Sequence, residues 1–248
     1  MIVFHFLKNI AGIQRHKSVR ILMYHQVLPQ SISFKNDLVV TAENLEEQFK
    51  YIKEHFNPVF FKDVQENTFL KNKIIITFDD GYYNNLQYAI PLLEKYRLKA
   101  TIFIPTKLIE DQDNSSERYL MKFEELQALP SEYIEIALHS HSHTNYTQLT
   151  LEEAENDLLK NMEVLKKHHI PFTKVLAYPY GKFPKGKTEK KLFFSMLEKL
   201  GIMAALRIGN NIETFPWKNK FEINRINIKY SDSLKIFKWK LRLGKLKF

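Results

Sequence analysis

The sequence predicts an α/β fold organised as a barrel, because segments typical of strands and helices alternate along its 248 residues. About seven strand-like segments fit a closed or nearly closed parallel barrel better than an open sheet. The apolar content of 44% is enough for a full core. No repeat or low-complexity linker divides the chain. We therefore expect a single domain, with an apolar and basic extension at 1–18, the barrel at 19–230 and a basic, aromatic tail at 231–248.

The individual elements follow from hydrophobic periodicity and from residues that begin or end helices. Thr41 and Thr150 are candidate N-caps, and Glu153 would complete a capping box with Thr150. Gly201 ends the last predicted helix. The predicted strands are 19–24, 59–61, 74–78, 100–104, 134–138, 175–178 and 203–206, and the predicted helices are 42–56, 84–98, 121–129, 150–168 and 189–200.

Two adjacent aspartates follow the most apolar of these strands. Residues 74–78 are typical of a strand buried on both faces, and Asp79 and Asp80 come where it should end. Two carboxylates at that place repel each other and lose hydration, so a cation or a shared proton is needed to keep both ionised. Gly81 then permits a sharp turn. An isolated Asp-Asp-Gly segment is common turn chemistry, so a functional interpretation depends on a second motif.

That second motif is a cluster of histidines directly after the predicted strand 134–138. His139, His141 and His143 occupy alternate positions of one five-residue segment. If the segment forms one helical turn, His139 and His143 lie on the same side and His141 points away. Two histidines and one aspartate form a common catalytic set for zinc, and iron, cobalt or nickel also accept it.

Two further candidates also lie at strand ends. Tyr180 belongs to a Tyr-Pro-Tyr-Gly segment at the end of the strand 175–178, and His25 directly follows the strand 19–24. A segment of this composition is most often only a turn. Barrel enzymes, however, have their active sites at the carboxyl ends of their strands. We therefore expect His25 and Tyr180 to lie close to the aspartate pair and the histidine cluster, at one rim of the barrel.

Together, the motifs resemble the signatures of the polysaccharide deacetylases, also called the NodB-homology or carbohydrate esterase 4 family. The resemblance rests on Thr-Phe-Asp-Asp-Gly at 77–81, His-Ser-x-x-His at 139–143 and Tyr-Pro-Tyr-Gly at 178–181, and it extends from about 21 to 228. It implies a distorted (β/α)7-type barrel. The branch most similar to this chain is that of the poly-N-acetylglucosamine deacetylases, in which the motif order is circularly permuted.

The resemblance implies a role for each matching residue. Asp79 matches the catalytic base, whereas Asp80, His139 and His143 match the ligands of a divalent metal. The first choice of metal is Zn²⁺, with Co²⁺, Ni²⁺ or Fe²⁺ as alternatives. The backbone N–H of Tyr180 matches a donor to the tetrahedral oxyanion. Such a set suits hydrolysis, because a metal activates water and polarises an acetyl carbonyl while a carboxylate takes the proton.

Two positions depart from the family pattern. Ala177 stands where the family often has an arginine that orients the base. The usual acid is a histidine in a late motif, yet no histidine follows His169 in this chain. His25 resembles the N-terminal histidine of the permuted branch, and we therefore predict that it is the general acid. A histidine buried beside the first strand and bonded to a carbonyl is the structural alternative.

Two function classes are consistent with these residues. The first is a metal-dependent hydrolase that removes an N-acetyl or other N-acyl group from an amino sugar in a polysaccharide or glycan precursor. The second is a non-catalytic carbohydrate-binding domain that retains the deacetylase fold, which Ala177 favours. Either class has an N-acetylated carbohydrate as its partner, and a nucleic-acid partner is not expected. The sequence does not set the oligomeric state.

Composition and the two ends of the chain bear on location. The absence of cysteine excludes disulfides, thiolate metal sites and a cysteine nucleophile. The net charge is +9, and residues 235–248 hold six basic residues and no acid. Residues 237–243 alternate apolar and basic side chains, which indicates a period-two strand with a cationic face. This tail either packs on the barrel or binds an anionic surface such as a membrane or an acidic glycan.

The N-terminal residues 1–13 are apolar but lack the basic leader and cleavage site of a signal peptide, and they are too short to span a bilayer. Ile2, Phe6, Ile10 and Ile13 could line one helix face, which either packs on the domain or lies in a membrane interface. We therefore predict a cytoplasmic protein, or one peripheral to the inner membrane face. A secreted or cell-surface protein is the alternative.

Overall fold

The computed structural model describes residues 17–32, 36–66, 71–112 and 118–245. Its strands are, in chain order, β1 (Ser18–Tyr24), β2 (Gln26–Leu28), β3 (Val39–Thr41), β4 (Asn57–Pro58), β5 (Lys73–Asp79), β6 (Ala100–Ile104), β7 (Ile134–Leu138), β8 (Thr173–Ala177), β9 (Ala204–Ile208), β10 (Glu213–Thr214) and β11 (Ile223–Asn227). Seven of them form a closed parallel barrel in the order β1, β5, β6, β7, β8, β9, β11 and back to β1. The predicted α/β barrel is confirmed.

Helices surround the barrel, and the caps that the sequence indicated are present. They are α1 (Ala42–His55), α2 (Asp63–Glu66), α3 (Ile90–Tyr96), α4 (Thr106–Gln112), α5 (Phe123–Gln127), α6 (Leu151–Lys167), α7 (Lys187–Lys199) and α8 (Leu234–Leu243), with a π-helical turn at Asn85–Ala89 before α3. Thr41 accepts a hydrogen bond from Asn44 N at the start of α1. Thr150 and Glu153 form the predicted capping box of α6.

Alternation along the strands separates two apolar layers. One layer fills the barrel interior, with Ile21, Ile75, Phe103, Val175 and Leu206 among its members. The other lies between the barrel and its helices. Because every barrel strand is parallel, all carboxyl ends meet at one rim, and the side chains that follow the strands converge there.

One predicted strand is wrong and one barrel strand was not predicted. The strand lies at residues 57–58, which pair with β5, and Val59 adds one backbone hydrogen bond to the Ile74 carbonyl before the chain leaves the sheet. The backbone N–H of Phe61 is bonded to the carboxylate of Glu135, and the chain turns there so that Val59 and Phe61 pack inside the barrel. The seventh barrel strand is instead β11, which pairs with β1 and β9 and closes the barrel.

The tail does not form the predicted period-two strand. Residues 234–243 form α8, which begins at Ser233, whose Oγ accepts from Ile236 N. Phe237 and Leu241 are one helical turn apart and buried in the outer core, whereas Trp239 and Leu243 are 43% and 56% exposed. A helix is favoured over a strand here because leucine, lysine and arginine are good helix formers. In addition, the four-residue spacing lets both buried side chains pack on the same side of the helix.

Residues 1–16 lie outside the described residues, and so does the predicted helix face of Ile2, Phe6, Ile10 and Ile13. Within the part of the chain that the structure describes, none of the helices has the length and apolar character needed to cross a bilayer.

Candidate active site

A tight turn separates the two adjacent aspartates. Asp79 is the last residue of β5 and faces the barrel interior, whereas Asp80 begins the turn at the rim. Asp80 and Gly81 both have left-handed backbone angles, with φ of 72° and 69°. A Cβ on Gly81 would lie 2.7 Å from Ile104 Cδ1, so the position requires glycine. The turn therefore gives the two carboxylates different surroundings.

The histidine segment after β7 is an irregular loop, so the rings of His139 and His143 converge without a helical turn. Ser140 and His143 have left-handed φ values of 66° and 56°. The Oγ of Ser140 accepts a hydrogen bond of 2.8 Å from His143 N. This closes the loop so that His139 and His143 face each other, with ring centroids 4.9 Å apart. The two imidazoles therefore converge, as the sequence indicated, and the His141 ring does not join them.

Asp157 of α6 supports this loop from outside the site. Its two carboxylate oxygens accept hydrogen bonds from the backbone N–H groups of His141 and Ser142, at 3.1 and 2.8 Å. The His141 ring turns away from the other two histidines and lies 2.9 Å from Thr106 Oγ1. His141 thus belongs to the support of the loop, and its ring is not directed at the other two.

Asp80, His139 and His143 form a cluster whose ligand atoms all lie within 4.8 Å of one another. The Nε2 atoms of His139 and His143 lie 3.4 and 3.2 Å from Asp80 Oδ1, and that buried oxygen has no hydrogen-bond partner among the described residues. His139 Nδ1 lies 2.7 Å from the carbonyl of Ala177 and donates to it. This bond leaves the Nε2 lone pair directed at the cluster.

These features fit a divalent metal. One carboxylate and two imidazole nitrogens are the ligands that zinc accepts, and the hydrogen bond to the Ala177 carbonyl is the usual support for a ligating histidine. Burial raises the pKa of Asp80, but the neighbouring His139 and His143 outweigh it and hold the pKa well below its ordinary value. Asp80 is therefore an ionised carboxylate, as a metal ligand must be.

Arg225 of β11 forms a two-point ion pair with Asp79. Its two terminal nitrogens lie 2.6 and 2.7 Å from Asp79 Oδ1 and Oδ2, and Nη1 also lies 3.3 Å from Thr77 Oγ1. Both partners are buried. Burial raises the pKa of Asp79, but Arg225 and then His139 outweigh that effect and lower it below the ordinary value. Asp79 is therefore ionised, and both of its oxygens are held in place.

Arg225 supplies the contact that Ala177 cannot make. From the sequence alone, Arg225 was not predicted to have a role. A signal was present, because strand alternation puts Ile223 and Arg225 on the same face of β11. A charged side chain on the apolar face of a buried strand is costly unless it is paired, so an arginine at this position indicates a buried acidic partner.

His25 directly follows β1. Its Nε2 is 3.8 Å from Asp79 Oδ2, and its side chain is 13% exposed. Burial lowers the pKa of His25, while Asp79 and Asp80 act against that effect. The structure thus brings a half-buried imidazole next to the paired carboxylate.

Tyr180 lies in a turn beside the histidine cluster. Pro179 precedes it, and its φ of 57° is left-handed. Its ring packs against His143 with centroids 5.0 Å apart, yet 62% of the residue is exposed. All six residues that the sequence singled out, Asp79, Asp80, His25, His139, His143 and Tyr180, therefore lie at the same rim of the barrel.

The chain belongs to the polysaccharide deacetylase family, because residues 66–202, more than half of the chain, match the sequence profile of that family. The matched range contains both aspartates, His139, His143 and Tyr180. His25 and Arg225 lie outside it.

Two relatives illustrate the range of similarity. The chain is 28% identical to YxkH of Bacillus subtilis (strain 168) over 169 residues, which are 66% of this chain and 57% of YxkH. It therefore spans little more than half the length of that relative. It is 25% identical over 240 residues to the poly-beta-1,6-N-acetyl-D-glucosamine N-deacetylase of Staphylococcus aureus (strain MRSA252), covering 86% of this chain and 80% of the relative.

Solved structures share the fold over most of the chain. The Streptococcus pyogenes deacetylase PplD in complex with acetate has a TM-score of 0.76 at 20% identity, covering 90% of this chain and 98% of PplD. IcaB from Ammonifex degensii has a TM-score of 0.71 at 18% identity, covering 91% and 97%. At these identities the similarity concerns the (β/α)7 barrel fold.

Proposed function

We propose that this chain is a metal-dependent hydrolase that removes N-acetyl groups from an amino-sugar polymer. The observation that carries the proposal is the arrangement around Asp79. A buried carboxylate, held at both oxygens by Arg225, lies between His25 and a cluster that fits a divalent metal. The related S. aureus protein is named for deacetylation of poly-β-1,6-N-acetylglucosamine, which supports the choice of substrate class.

Each residue has a chemical role in this proposal. Asp80, His139 and His143 hold the metal, with zinc as first choice and cobalt, nickel or iron as alternatives. When bound, such an ion lowers the pKa of water and polarises the acetyl carbonyl. Asp79 takes a proton from the attacking water, and Arg225 keeps the base ionised and oriented.

The remaining two residues act on the tetrahedral intermediate. The backbone N–H of Tyr180 donates a hydrogen bond to the oxygen on which negative charge develops. The carbon–nitrogen bond then breaks, and His25 gives its proton to the departing amine. The products are acetate and a free amino group on the sugar.

The alternative, a carbohydrate-binding domain without turnover, was favoured only by Ala177. Because Arg225 contacts both oxygens of Asp79 from another strand, the absence of an arginine at 177 no longer argues against catalysis. Asp79 has a cation that orients it, although this cation comes from position 225 and not from position 177.

Acetate release tests the proposal. The full chain is incubated with a β-1,6-linked N-acetylglucosamine oligomer as isolated, after chelation, and after addition of Zn²⁺. We expect acetate and free amines in equal amounts, loss of both on chelation and recovery with metal. Binding of the oligomer without acetate release at any metal concentration would support the non-catalytic alternative.

The location expected from the sequence, in the cytoplasm or at the inner membrane face, stays a prediction, with a secreted or cell-surface protein as the alternative. Fractionation of the producing cells with an antibody to this chain distinguishes the two. A fraction released by removing the cell wall would contradict an inner location.

A further inference from the structure

A basic groove lies on the side of the barrel, between α1 and α8. We define it by the cations that line it, Arg20, Lys71, Lys235, Lys238 and Arg242, and its volume is about 970 Å³. Among the described residues that line it, there is no aspartate or glutamate. The groove is therefore a concentrated positive surface, which favours a partner with negative charge.

Aromatic side chains line the same groove. Tyr51 and Phe56 belong to its α1 side, and Trp239 to its α8 side. Lys238 Nζ lies 4.6 Å from the centroid of the Tyr51 ring, and Arg242 lies 5.8 Å from that of Trp239. Trp239 and Leu243 point outward, with 43% and 56% of their surfaces exposed. Cations that alternate with exposed apolar groups are typical of helices that lie in a membrane interface.

The exposed face of α8 carries three cations that have no acidic partner among the described residues. Lys235, Lys238 and Arg242 are exposed, and none of them forms a salt bridge with a carboxylate in the described ranges. By contrast, Lys240 on the inner side of α8 is paired with Asp232 at 2.5 Å. The protein thus pairs the inner cation and leaves the outer ones for a partner.

Three sequence segments next to described residues of this region also contain no acidic residue. Residues 1–16 lead into β1, residues 67–70 lead into Lys71, and residues 246–248 follow Lys245. The sequences of these three segments contain no aspartate or glutamate, and 1–16 adds Lys8 and Arg15. Charge complementarity therefore points to a partner from outside the chain.

We propose that the basic groove and the exposed face of α8 bind an anionic lipid membrane. The phosphates of the headgroups meet Lys235, Lys238 and Arg242, and Trp239 and Leu243 enter the boundary between headgroups and acyl chains. Phe237 and Leu241 remain in the core, so the helix docks as part of the folded domain.

This docking sets the orientation of the enzyme. Arg20 is the third residue of β1 and Asn72 directly precedes β5, so the floor of the groove lies toward the amino ends of the strands. Asp79 ends β5, and His25 and Asp80 follow the carboxyl ends of β1 and β5; five residues of strand put His25 about 17 Å farther along the chain of β1 than Arg20. The site therefore lies toward the end of the barrel opposite the floor of the groove. This consequence, which rests on the proposed function, favours a polymer over a sugar attached directly to a lipid phosphate.

Vesicle sedimentation of the full chain tests the docking. We expect binding to vesicles of phosphatidylcholine mixed with phosphatidylglycerol, weaker binding as salt rises, and none to phosphatidylcholine alone. The triple variant Lys235→Glu, Lys238→Glu, Arg242→Glu should bind at least about 100-fold more weakly, from about fivefold for each cation. A truncation at Asp232 is unsuitable, because it would remove the buried Phe237 and Leu241.

A matched control separates a local surface from net charge. Lys166→Glu, Lys187→Glu and Lys191→Glu change three exposed lysines on α6 and α7 and alter the net charge equally. This variant should keep its affinity within about threefold, since charges far from the lipid are screened. An equal loss of vesicle affinity in both triple variants would overturn the proposal. Binding of the wild-type chain to a soluble acidic polysaccharide and not to vesicles would also overturn it.

Fluorescence gives an independent readout. The chain has two tryptophans, so Trp217→Phe leaves Trp239 as the reporter. On anionic vesicles its emission should shift to the blue and be quenched by brominated lipid, and on neutral vesicles it should not change. No shift on anionic vesicles would overturn the proposal even if the triple variant failed to fold. Both readouts are measured without substrate, so they do not depend on the proposed function.

Discussion

Arg225 and Asp79 are 146 residues apart in the sequence and form a buried two-point ion pair, with distances of 2.6 and 2.7 Å. The pair joins β11 to β5 across the barrel interior. It explains how the candidate base is kept ionised and fixed although residue 177 is an alanine.

Moving the guanidinium from position 225 to position 177 tests this explanation. Arg225→Ala should lower kcat by roughly 10²-fold and destabilise the fold by about 3–5 kcal/mol, because it leaves Asp79 buried without a partner. The double variant Arg225→Ala, Ala177→Arg should recover part of both losses, since the new arginine can use the vacated space. Acetate release and urea unfolding measure the two effects. Full activity of Arg225→Ala would contradict the role.

The metal cluster gives a prediction with an internal control. His139→Ala or His143→Ala should remove the bound metal and the activity, because each deletes an imidazole next to Asp80. His141→Ala should keep both, at a cost of about 1 kcal/mol in stability from its lost contact with Thr106. Metal analysis of the purified variants is the measurement. Metal loss from the His141 variant alone would show that the ligands were assigned wrongly.

His25 is predicted to be the general acid because of its place beside Asp79. An acid must be protonated to act, so activity falls as pH rises through its pKa. His25→Ala should lower kcat by roughly 10²-fold and remove this alkaline limb, while metal content and melting temperature stay near wild type. The pH–rate profile on a fixed oligomer decides the matter. A lower Tm with an unchanged limb would indicate a structural histidine.

Glu135 lies near the amino end of β7, at the end of the barrel opposite the candidate site, and is expected to make the folding stability depend on pH. Burial raises its pKa, while Thr173, Thr101 and the Phe61 N–H act against that effect. Since the folded-state pKa is raised, the stabilisation from Glu135 is present below the unfolded pKa and is lost as pH rises through the folded value.

Glu135→Gln should therefore lose this pH dependence. Relative to wild type, the variant should gain stability as pH rises from about 4.5 toward neutrality. Urea unfolding across that range measures the difference, with Glu124→Gln on the exposed side of α5 as the control. A stability difference that stays constant with pH would contradict the assignment of the raised pKa.

The sequence identified the candidate residues at the rim of the barrel but not Arg225, which lies inside it. Residues near in sequence carry strong local signals, such as the aspartates before Gly81 and the histidines after β7, and parallel strands bring such strand ends together. Alternation along β11 marks Arg225 as a charge on an apolar face, but it does not identify Asp79, which lies on another strand, as the partner. β11 was missed as a strand because asparagine and arginine interrupt its apolar pattern, whereas Val59 and Phe61 resemble a strand but pack inside the barrel.

In the C-terminal tail, the hydrophobic periodicity predicted the wrong type of secondary structure. Phe237, Trp239, Leu241 and Leu243 alternate with basic residues, and period two predicts a strand with one apolar face. In α8 the same residues divide into a buried pair and an exposed pair, because a surface for Phe237 and Leu241 exists on α1 and in the outer core. That surface depends on the fold and is not encoded in the local pattern.

Asp79→Asn separates the proposed roles of the two adjacent aspartates, Asp79 as base and Asp80 as ligand. Metal content and acetate release are measured on the same preparation. Asparagine keeps the shape of the side chain and removes its basicity. We therefore expect metal near the wild-type level with kcat lowered by roughly 10²-fold or more. Loss of the metal together with the activity would contradict the account, because Asp79 would then be a ligand.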